Sequence, residues 1–389
     1  MNIIYILSGT SMNGGATKSF INLLKDVCEA GNKTLVICPD KNGIYEYLND
    51  NNIYGAKVQC IDYTYNVLPF IQSGKDFILF FPRLLKRIVK NRIAAKLLIK
   101  IAKNFNPDII HSNTSVNNIG ILAAKHLKIP HIWHIREYGW ADFKMKVPFQ
   151  NKMLKSPNNY TISITKDINK SKSLEDNPNS IVIYNGIITP DCFRFNNSFE
   201  QYFLYVGRIT EKKGALTLLS AYNHYIESKP AIIWKLKFAG LVNNDFKEKM
   251  QSFCRSHGIE QYVEFLGEID NISDLMYQSG VVVVPSYCEG FGRVLPEAMA
   301  NGCLTIARNT GGSKEQYDNG LDFIGKEIGL RFNNIEELTN LLIEVSSKGK
   351  LYYIDMIYRS QQTVKHYYSI DTYSRNILNL YNKIIDFRK

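Results

Sequence analysis

The sequence predicts an α/β protein made of two doubly wound, Rossmann-like domains, and three observations point there. The chain has 389 residues, more than a single hydrophobic core usually serves. Short β-rich apolar runs alternate with helical stretches throughout, the pattern of parallel sheets flanked by helices. Midway, Thr189-Pro190 and Asn196-Asn197-Ser198 interrupt both periodicities, which places the expected domains at 1–190 and 196–370. Hydrophobic residues at 45% and charged residues at 21% suit a packed globular chain and exclude disorder, collagen-like repeats and coiled coil.

In chain order, the first domain's strands are expected at 3–8, 33–38, 109–111, 131–135 and 160–164, with helices near 16–30, 83–104 and 115–127. The second domain's strands are expected at 203–206, 234–239, 263–265 and 281–285, with helices near 214–227, 245–257 and 272–278. Beyond Gly329 the chain reads as mainly helical. Its last segment, 371–389, spaces Ile377, Leu380, Tyr381, Ile384 and Ile385 as an amphipathic helix does, and it is expected to pack back on the first domain.

The formal charge of +11 is one-sided: residues 1–190 carry 24 Lys/Arg against 13 Asp/Glu, and 191–389 carry 23 of each. The stretch 83–103 holds eight of these bases and no acid, interleaved with Leu84, Leu85, Ile88, Val89, Ile93, Leu97, Leu98 and Ile101. Pro82 suits the first turn of such a helix. A basic amphipathic helix fits either a solvated domain face or an anionic membrane surface. Nucleic acid is not expected as a partner, because no helix-turn-helix, zinc-finger or RNP-type signature accompanies the charge. No run approaches the eighteen or so apolar residues of a membrane span, and no signal peptide is recognisable at Met1–Leu7. The expected location is therefore cytoplasmic, with attachment to the inner face of the plasma membrane left open. Seven cysteines without CxxC spacing suggest neither disulfides nor zinc, and they are expected as buried, reduced thiols.

Ligands of open α/β sheets bind beyond the carboxyl ends of the strands, and four places there carry chemistry. Asn13-Gly14-Gly15 lies between the first strand and a helix, where backbone amides can approach an anion; a plain tight turn reads equally well. Arg208 and Lys213 straddle the next domain's first strand-to-helix turn and can converge on one diphosphate, the arginine as a fork and the lysine as a point charge. At 285–300 a strand ends in Pro285, a Gly-bearing turn presents Glu289, and a helix beginning near Val294 carries Glu297. These two carboxylates can each accept hydroxyl hydrogen bonds from one extended ligand. Backbone amides at Phe291, Gly292 and the helix start at Val294 and Leu295 would face its phosphates. Thr310-Gly311-Gly312-Ser313-Lys314-Glu315 is a further Gly-rich turn, which by itself fits any loop.

In order, these residues resemble the large retaining glycosyltransferase family four, of GT-B architecture and bacterial surface-polysaccharide type. The resemblance spans nearly the whole chain: Gly14-Gly15, "PDIIHSN" at 107–113, "IVIYNGI" at 181–187, "YVGRITEKKG" at 205–214, "FAG" at 238–240, "VEFLGEI" at 263–269, "PSYCEGFGRVLPEAMANG" at 285–302 and "GGSKE" at 311–315. It implies metal-independent transfer of a sugar from a nucleoside diphosphate sugar, UDP favoured over GDP, to a glycan acceptor, in particular a lipid-linked one. By the family's pattern Glu297 would bind ribose hydroxyls and Glu289 the donor sugar, while Arg208 and Lys213 would hold the diphosphate and offset the charge growing on the leaving nucleotide. Gly14 and Gly15 would complete that anion site, the backbone from Gly267 to Ile269 would face the base, and Thr165 falls where the family often has a serine near the donor. No cofactor is implied, and the absence of Asp-x-Asp fits transfer without a bound metal.

One position departs from the pattern. The family's frequent catalytic histidine falls on Arg136 within "PHIWHIREYGW" at 130–140. Arg136 could contact the diphosphate or donor sugar, and Glu137 the acceptor or Arg136 itself. His134, two residues back along a strand, should point the same way as Arg136. Two other functions stay open from sequence: a transferase acting on a small soluble acceptor, and a catalytically weak nucleotide-sugar-binding scaffold.

Overall fold

The computed structural model describes residues 1–12, 14–51, 55–139 and 146–387, and they form two units. One comprises Met1–Gly186 with Ile370–Lys389, the other Ile187–Ser369. The first holds seven strands, β1 (Asn2–Ile6), β2 (Lys33–Cys38), β3 (Lys57–Cys60), β4 (Ile109–Ser112), β5 (His131–Ile135), β6 (Asn159–Ser163) and β7 (Ser180–Val182). They are arranged β3-β2-β1-β4-β5-β6-β7, each pair parallel. The second holds β8 (Glu200–Val206), β9 (Lys235–Ala239), β10 (Val263–Gly267), β11 (Ser279–Val284), β12 (Leu304–Arg308) and β13 (Leu330–Phe332). Their order is β10-β9-β8-β11-β12-β13, again parallel. Central strands such as β4, β5 and β11 are buried along their whole length, as strands covered by helices on both faces must be. Strand order reverses between β1 and β4 and between β8 and β11, and each such switch point opens a crevice beyond the strand ends.

In the first unit, the helix Gly15–Glu29 packs Phe20, Leu23, Leu24 and Val27 against Ile3 and Tyr5 on one face of the sheet. The C-terminal helix Ile370–Asp386 lies on the same side and adds Tyr373, Ile377, Tyr381 and Ile384 to that core, each worth about 1.5–3 kcal/mol of burial. On the opposite face the helix Phe80–Phe105 contributes Ala94, Ala95, Leu98 and Ala102. The second unit's core gathers Phe203, Tyr222, Trp234, Phe238, Val283 and Ile306.

Several expectations are corrected. The first unit ends at Gly186, not 190, because from there the chain pairs with the residues just before the last helix: the Ile187 amide donates to the Tyr368 carbonyl at 2.8 Å and Ile188 forms an isolated bridge with Ser369. The second unit accordingly ends at Ser369. The thiols are not uniformly buried. Cys38, Cys254 and Cys303 are, whereas Cys192 and Cys288 sit exposed, outside the strands and α-helices. Among the described residues no helix is long and apolar enough to cross a membrane.

Candidate donor-binding site

In the second unit a cavity of about 270 Å³ opens beyond the carboxyl ends of β8 and β11, at the switch point, lined by Gly207, Arg208, Lys213, Glu289, Gly292 and Arg293 among others. Close backbone packing builds it. Gly214 has φ +73°, and a Cβ there would stand 2.1 Å from the Pro285 carbonyl oxygen, so only glycine lets the loop after β8 lie against the loop after β11. The Tyr287 amide donates to the Lys212 carbonyl at 3.2 Å and joins the same two loops. Lys213 is thereby brought to Glu289, its Nζ donating to Oε1 at 2.7 Å.

The 285–292 loop is held from behind. Arg308 on β12 donates through Nε to the Pro285 carbonyl at 3.1 Å and stacks its guanidinium over the Tyr287 ring at 4.2 Å. The Gly312 amide donates to the Glu289 carbonyl at 2.8 Å, and a Cβ on Gly312 would meet the Phe291 carbonyl at 2.5 Å. The stretch 310–315, expected as a Gly-rich turn, is instead the N-terminus of the helix Gly311–Ile324, and it fixes Glu289. Ser313, in the first turn of that helix, is 2% exposed; its Oγ has no hydrogen-bond partner among the described residues and lies toward Gly292.

The charges are arranged in pairs and one singleton. Glu297 Oε1 is ion-paired with Arg293 Nη2 at 3.2 Å, one helical turn away. Arg208 is exposed at the end of β8 and its side chain has no hydrogen-bond or ion-pair partner among the described residues. A cavity with one free guanidinium, a lysine already paired to a carboxylate and a second arginine favours an anion of two or more charges.

The other expected residues divide. Gly292 and Val294 line the cavity, but Leu295 is fully buried and its amide is spent on the Gly292 carbonyl at 3.3 Å. Phe291 turns its ring into the core against Tyr368 at 5.5 Å, and its carbonyl accepts from Gln316. Glu297 flanks the cavity through Arg293 and does not line it. Gly267 ends edge strand β10, two strands from β8, Ile269 follows it, and neither lines the cavity. The Gly267 carbonyl is engaged by the Gly240 amide at 2.7 Å. Arg293, which lines the cavity between Gly292 and Val294, carries no motif of its own in the sequence that marks it.

A second cavity, of about 250 Å³, opens in the first unit at the β1/β4 switch, lined by Ser8, Ser11, Gly14, Thr17, Asn113, Arg136 and Glu137 with Tyr65. Gly14 has φ −75°, and a Cβ there would make only ordinary contacts, 3.5 Å from Thr17 Oγ1. The backbone alone does not require glycine at this point. Gly15 opens the helix Gly15–Glu29 behind it, and Asn13 lies outside the described residues.

Arg136, considered as a contact to the diphosphate or donor sugar, is engaged by the protein itself. Its Nε donates to the Asn113 carbonyl at 3.1 Å, Nη2 to Asn113 Oδ1 at 3.0 Å and to the Tyr373 hydroxyl at 3.1 Å, and Nη1 to Asn185 Oδ1. The guanidinium is largely consumed in tying the β4 and β5 ends, the last residues before the crossover, and the C-terminal helix. His134 does point the same way, its Nδ1 3.3 Å from Arg136 Nη2, but it is fully buried, stacked on His111 at 5.4 Å, and lines neither of the two cavities. Burial and the adjacent Arg136 charge hold it neutral, well below the usual imidazole range. Thr165 is likewise buried and caps the helix Lys166–Ser171 by accepting from the Ile168 amide at 3.2 Å.

Glu137 is the carboxylate in this cavity. Oε1 accepts from the Ser115 amide at 2.8 Å and hydroxyl at 2.6 Å, and Oε2 from the Arg136 amide at 3.1 Å. Burial pushes its carboxyl above the ordinary range, against those hydrogen bonds. It follows Arg136 directly in sequence, yet its anchoring by Ser115, 22 residues away, leaves no local signal.

Comparison with known proteins agrees with this architecture. Residues 193–362 match the family model of glycosyl transferases group 1, and residues 13–160 that of glycosyltransferase family 4. An uncharacterised glycosyltransferase of Methanocaldococcus jannaschii is 34% identical over 174 residues, 38% of this chain and 43% of that one, so the match spans less than half of that relative. An α-1,4-N-acetyl-D-galactosaminyltransferase of Campylobacter jejuni, named for an acceptor glycan on PP-undecaprenol, is 23% identical over 77% of each chain. Among solved structures, Anabaena HepE in complex with UDP superposes with a TM-score of 0.76 at 17% identity, covering 98% of this chain and all of that one; at that identity the likeness is one of fold.

Proposed function

This chain is a glycosyltransferase of the GT-B, family 4-like type, and from that premise we propose that it moves a sugar, with retention and without a metal, from a UDP-sugar to a lipid-linked glycan in surface polysaccharide biosynthesis. The observation that carries the reading is the Lys213–Glu289 pair beside the unpartnered Arg208 at the ends of β8 and β11.

A nucleoside diphosphate would bring two or more negative charges into this cavity. Arg208 can take its oxygens bidentately, and Lys213 can transfer its hydrogen bond from Glu289 to the diphosphate. Glu289 is then released to accept from hydroxyls of the donor sugar. As the glycosidic bond to the diphosphate lengthens, charge grows on the leaving phosphate, and two fixed cations there stabilise that state more than the ground state. With retention by front-face attack, the leaving phosphate accepts the acceptor's proton, and no side-chain nucleophile is needed. Arg293 keeps Glu297 extended beside the pocket, where it can receive ribose hydroxyls. In the first unit, Glu137, Ser11, Thr17 and Asn113 offer the hydroxyl partners an acceptor sugar needs. HepE's capture with UDP supports the choice of base, and the Campylobacter enzyme's named acceptor supports a lipid carrier.

The test is a transfer assay on a panel of UDP- and GDP-sugars with chelator present, the product's anomeric configuration read by NMR. Turnover of a UDP-sugar with retained configuration supports the reading. Inverted product, or turnover restored only by divalent metal, refutes the corresponding part of it.

A further inference from the structure

The helix Phe80–Phe105 does not place all its apolar residues in the core. Its inward side is Asn91, Ala94, Ala95, Leu98 and Ala102, small enough to lie close on β1 and β2. Phe81, Leu85, Val89, Ile93 and Leu97 recur every four residues on the other side and are 46–75% exposed. Immediately before it, Phe77 and Ile78 are 70% and 75% exposed, and Phe70 and Ile71 about half exposed. Single exposed apolar residues are ordinary; a contiguous series along one helix and its lead-in segment is not.

The charges on this side are equally unsatisfied. Arg83 and Lys90 pair with Asp76 and Asp62, both at 2.6 Å. Lys86, Arg92, Lys96, Lys100 and Lys103 are exposed and have no acidic partner among the described residues.

We propose that the outward side of this helix, with its lead-in segment, seats the protein on an anionic lipid surface, its aromatic and aliphatic side chains entering the interface and its five free bases meeting the headgroups. Charge complementarity selects this occupant. A second copy would bring the same bases against one another with no acid between 83 and 103 to receive them. A nucleic acid would satisfy the bases and leave Phe77, Ile78 and Phe81 in water. Only an anionic bilayer surface meets both halves of the pattern. The inference stands on the first unit's surface and is independent of the donor chemistry.

The experiment is flotation of the full chain with vesicles of phosphatidylcholine alone or with phosphatidylglycerol, at low and high salt, without donor or acceptor. Binding is expected to the anionic vesicles only, to weaken with salt, and to fall roughly fivefold for each of Arg92→Gln, Lys96→Gln and Lys100→Gln. Phe81→Ser with Leu85→Ser should reduce it about tenfold or more, and these exposed changes should leave the melting temperature unaltered. Absence of vesicle binding, or equal binding by wild type and all variants, overturns the proposal. So does a dimer in sedimentation that Phe81→Ser with Leu85→Ser dissolves while vesicles go unbound. Failure here leaves the transfer assay untouched, and a failed transfer assay leaves vesicle binding untouched.

Discussion

Among single residues, roles divide by which side chains are already paired. Lys213 and Glu289 are held to each other at 2.7 Å, whereas the Arg208 side chain has no hydrogen-bond or ion-pair partner among the described residues. Arg208→Ala should therefore weaken UDP binding by roughly 10- to 100-fold, the worth of a charge-assisted hydrogen bond. Glu289→Gln should leave UDP affinity within about threefold and lower turnover by two or more orders of magnitude. Glu297→Ala should show the opposite division, weaker nucleotide binding with a smaller loss of turnover at saturation. Equal effects of the two glutamate substitutions on both quantities would remove these assignments. Arg136 belongs to a different class, because its guanidinium is spent on Asn113, Asn185 and Tyr373. Arg136→Lys keeps the charge and loses the fork, and thermal unfolding should show a cost of about 2–4 kcal/mol. An unchanged melting temperature with abolished turnover would instead make Arg136 a direct ligand of substrate.

At the scale of elements, the site depends on two loops pressed together and on a terminal helix that returns to the first unit. Gly214→Ala should push the loop after β8 off Pro285 and separate Lys213 from Glu289; calorimetry should find UDP binding weakened about tenfold or more, although the substitution lies outside the pocket. On the terminal helix, the Tyr381 hydroxyl joins Tyr5 at 3.1 Å and His111 Nδ1 at 2.6 Å. Tyr381→Phe strands both partners in the core and should cost about 1–3 kcal/mol in chemical denaturation. Elements with strong periodicity were legible in the sequence: the amphipathic 371–389 segment, the β-rich runs at 33–38 and 131–135, and the turn at 285–300. β3, β7 and β13 were not, being three or four residues long and set by pairing with neighbours more than by their own pattern. The basic helix was legible as amphipathic, but which of its apolar residues face the core was not. The inward side is mostly alanine, and leucines and isoleucines lie on both sides. For the same reason Thr165, His134 and Leu295 could be singled out by position while their burial could not be foreseen, since burial is decided by tertiary packing.

At the scale of the whole molecule, the first unit carries three buried histidines, His111, His131 and His134, each pushed down by burial, His131 to about 4. The unfolded chain takes up these protons near 6.5, whereas the folded chain does not. Stability is therefore fully present above about pH 6.5 and is lost as pH falls through the window toward 4, by up to about 1.4 kcal/mol per pH unit for each imidazole. Denaturant unfolding followed from pH 7 to pH 5 should show this fall, and a flat profile would mean these imidazoles are not held neutral. If the ends of β8 and β11 form a metal-independent site for a nucleoside diphosphate, calorimetric titration of UDP in the presence of chelator, on wild type and Arg208→Ala, reads that site out. Saturable binding by the wild-type chain is expected, weakened at least tenfold by the substitution. Binding indifferent to Arg208, or seen only when metal is restored, would contradict it.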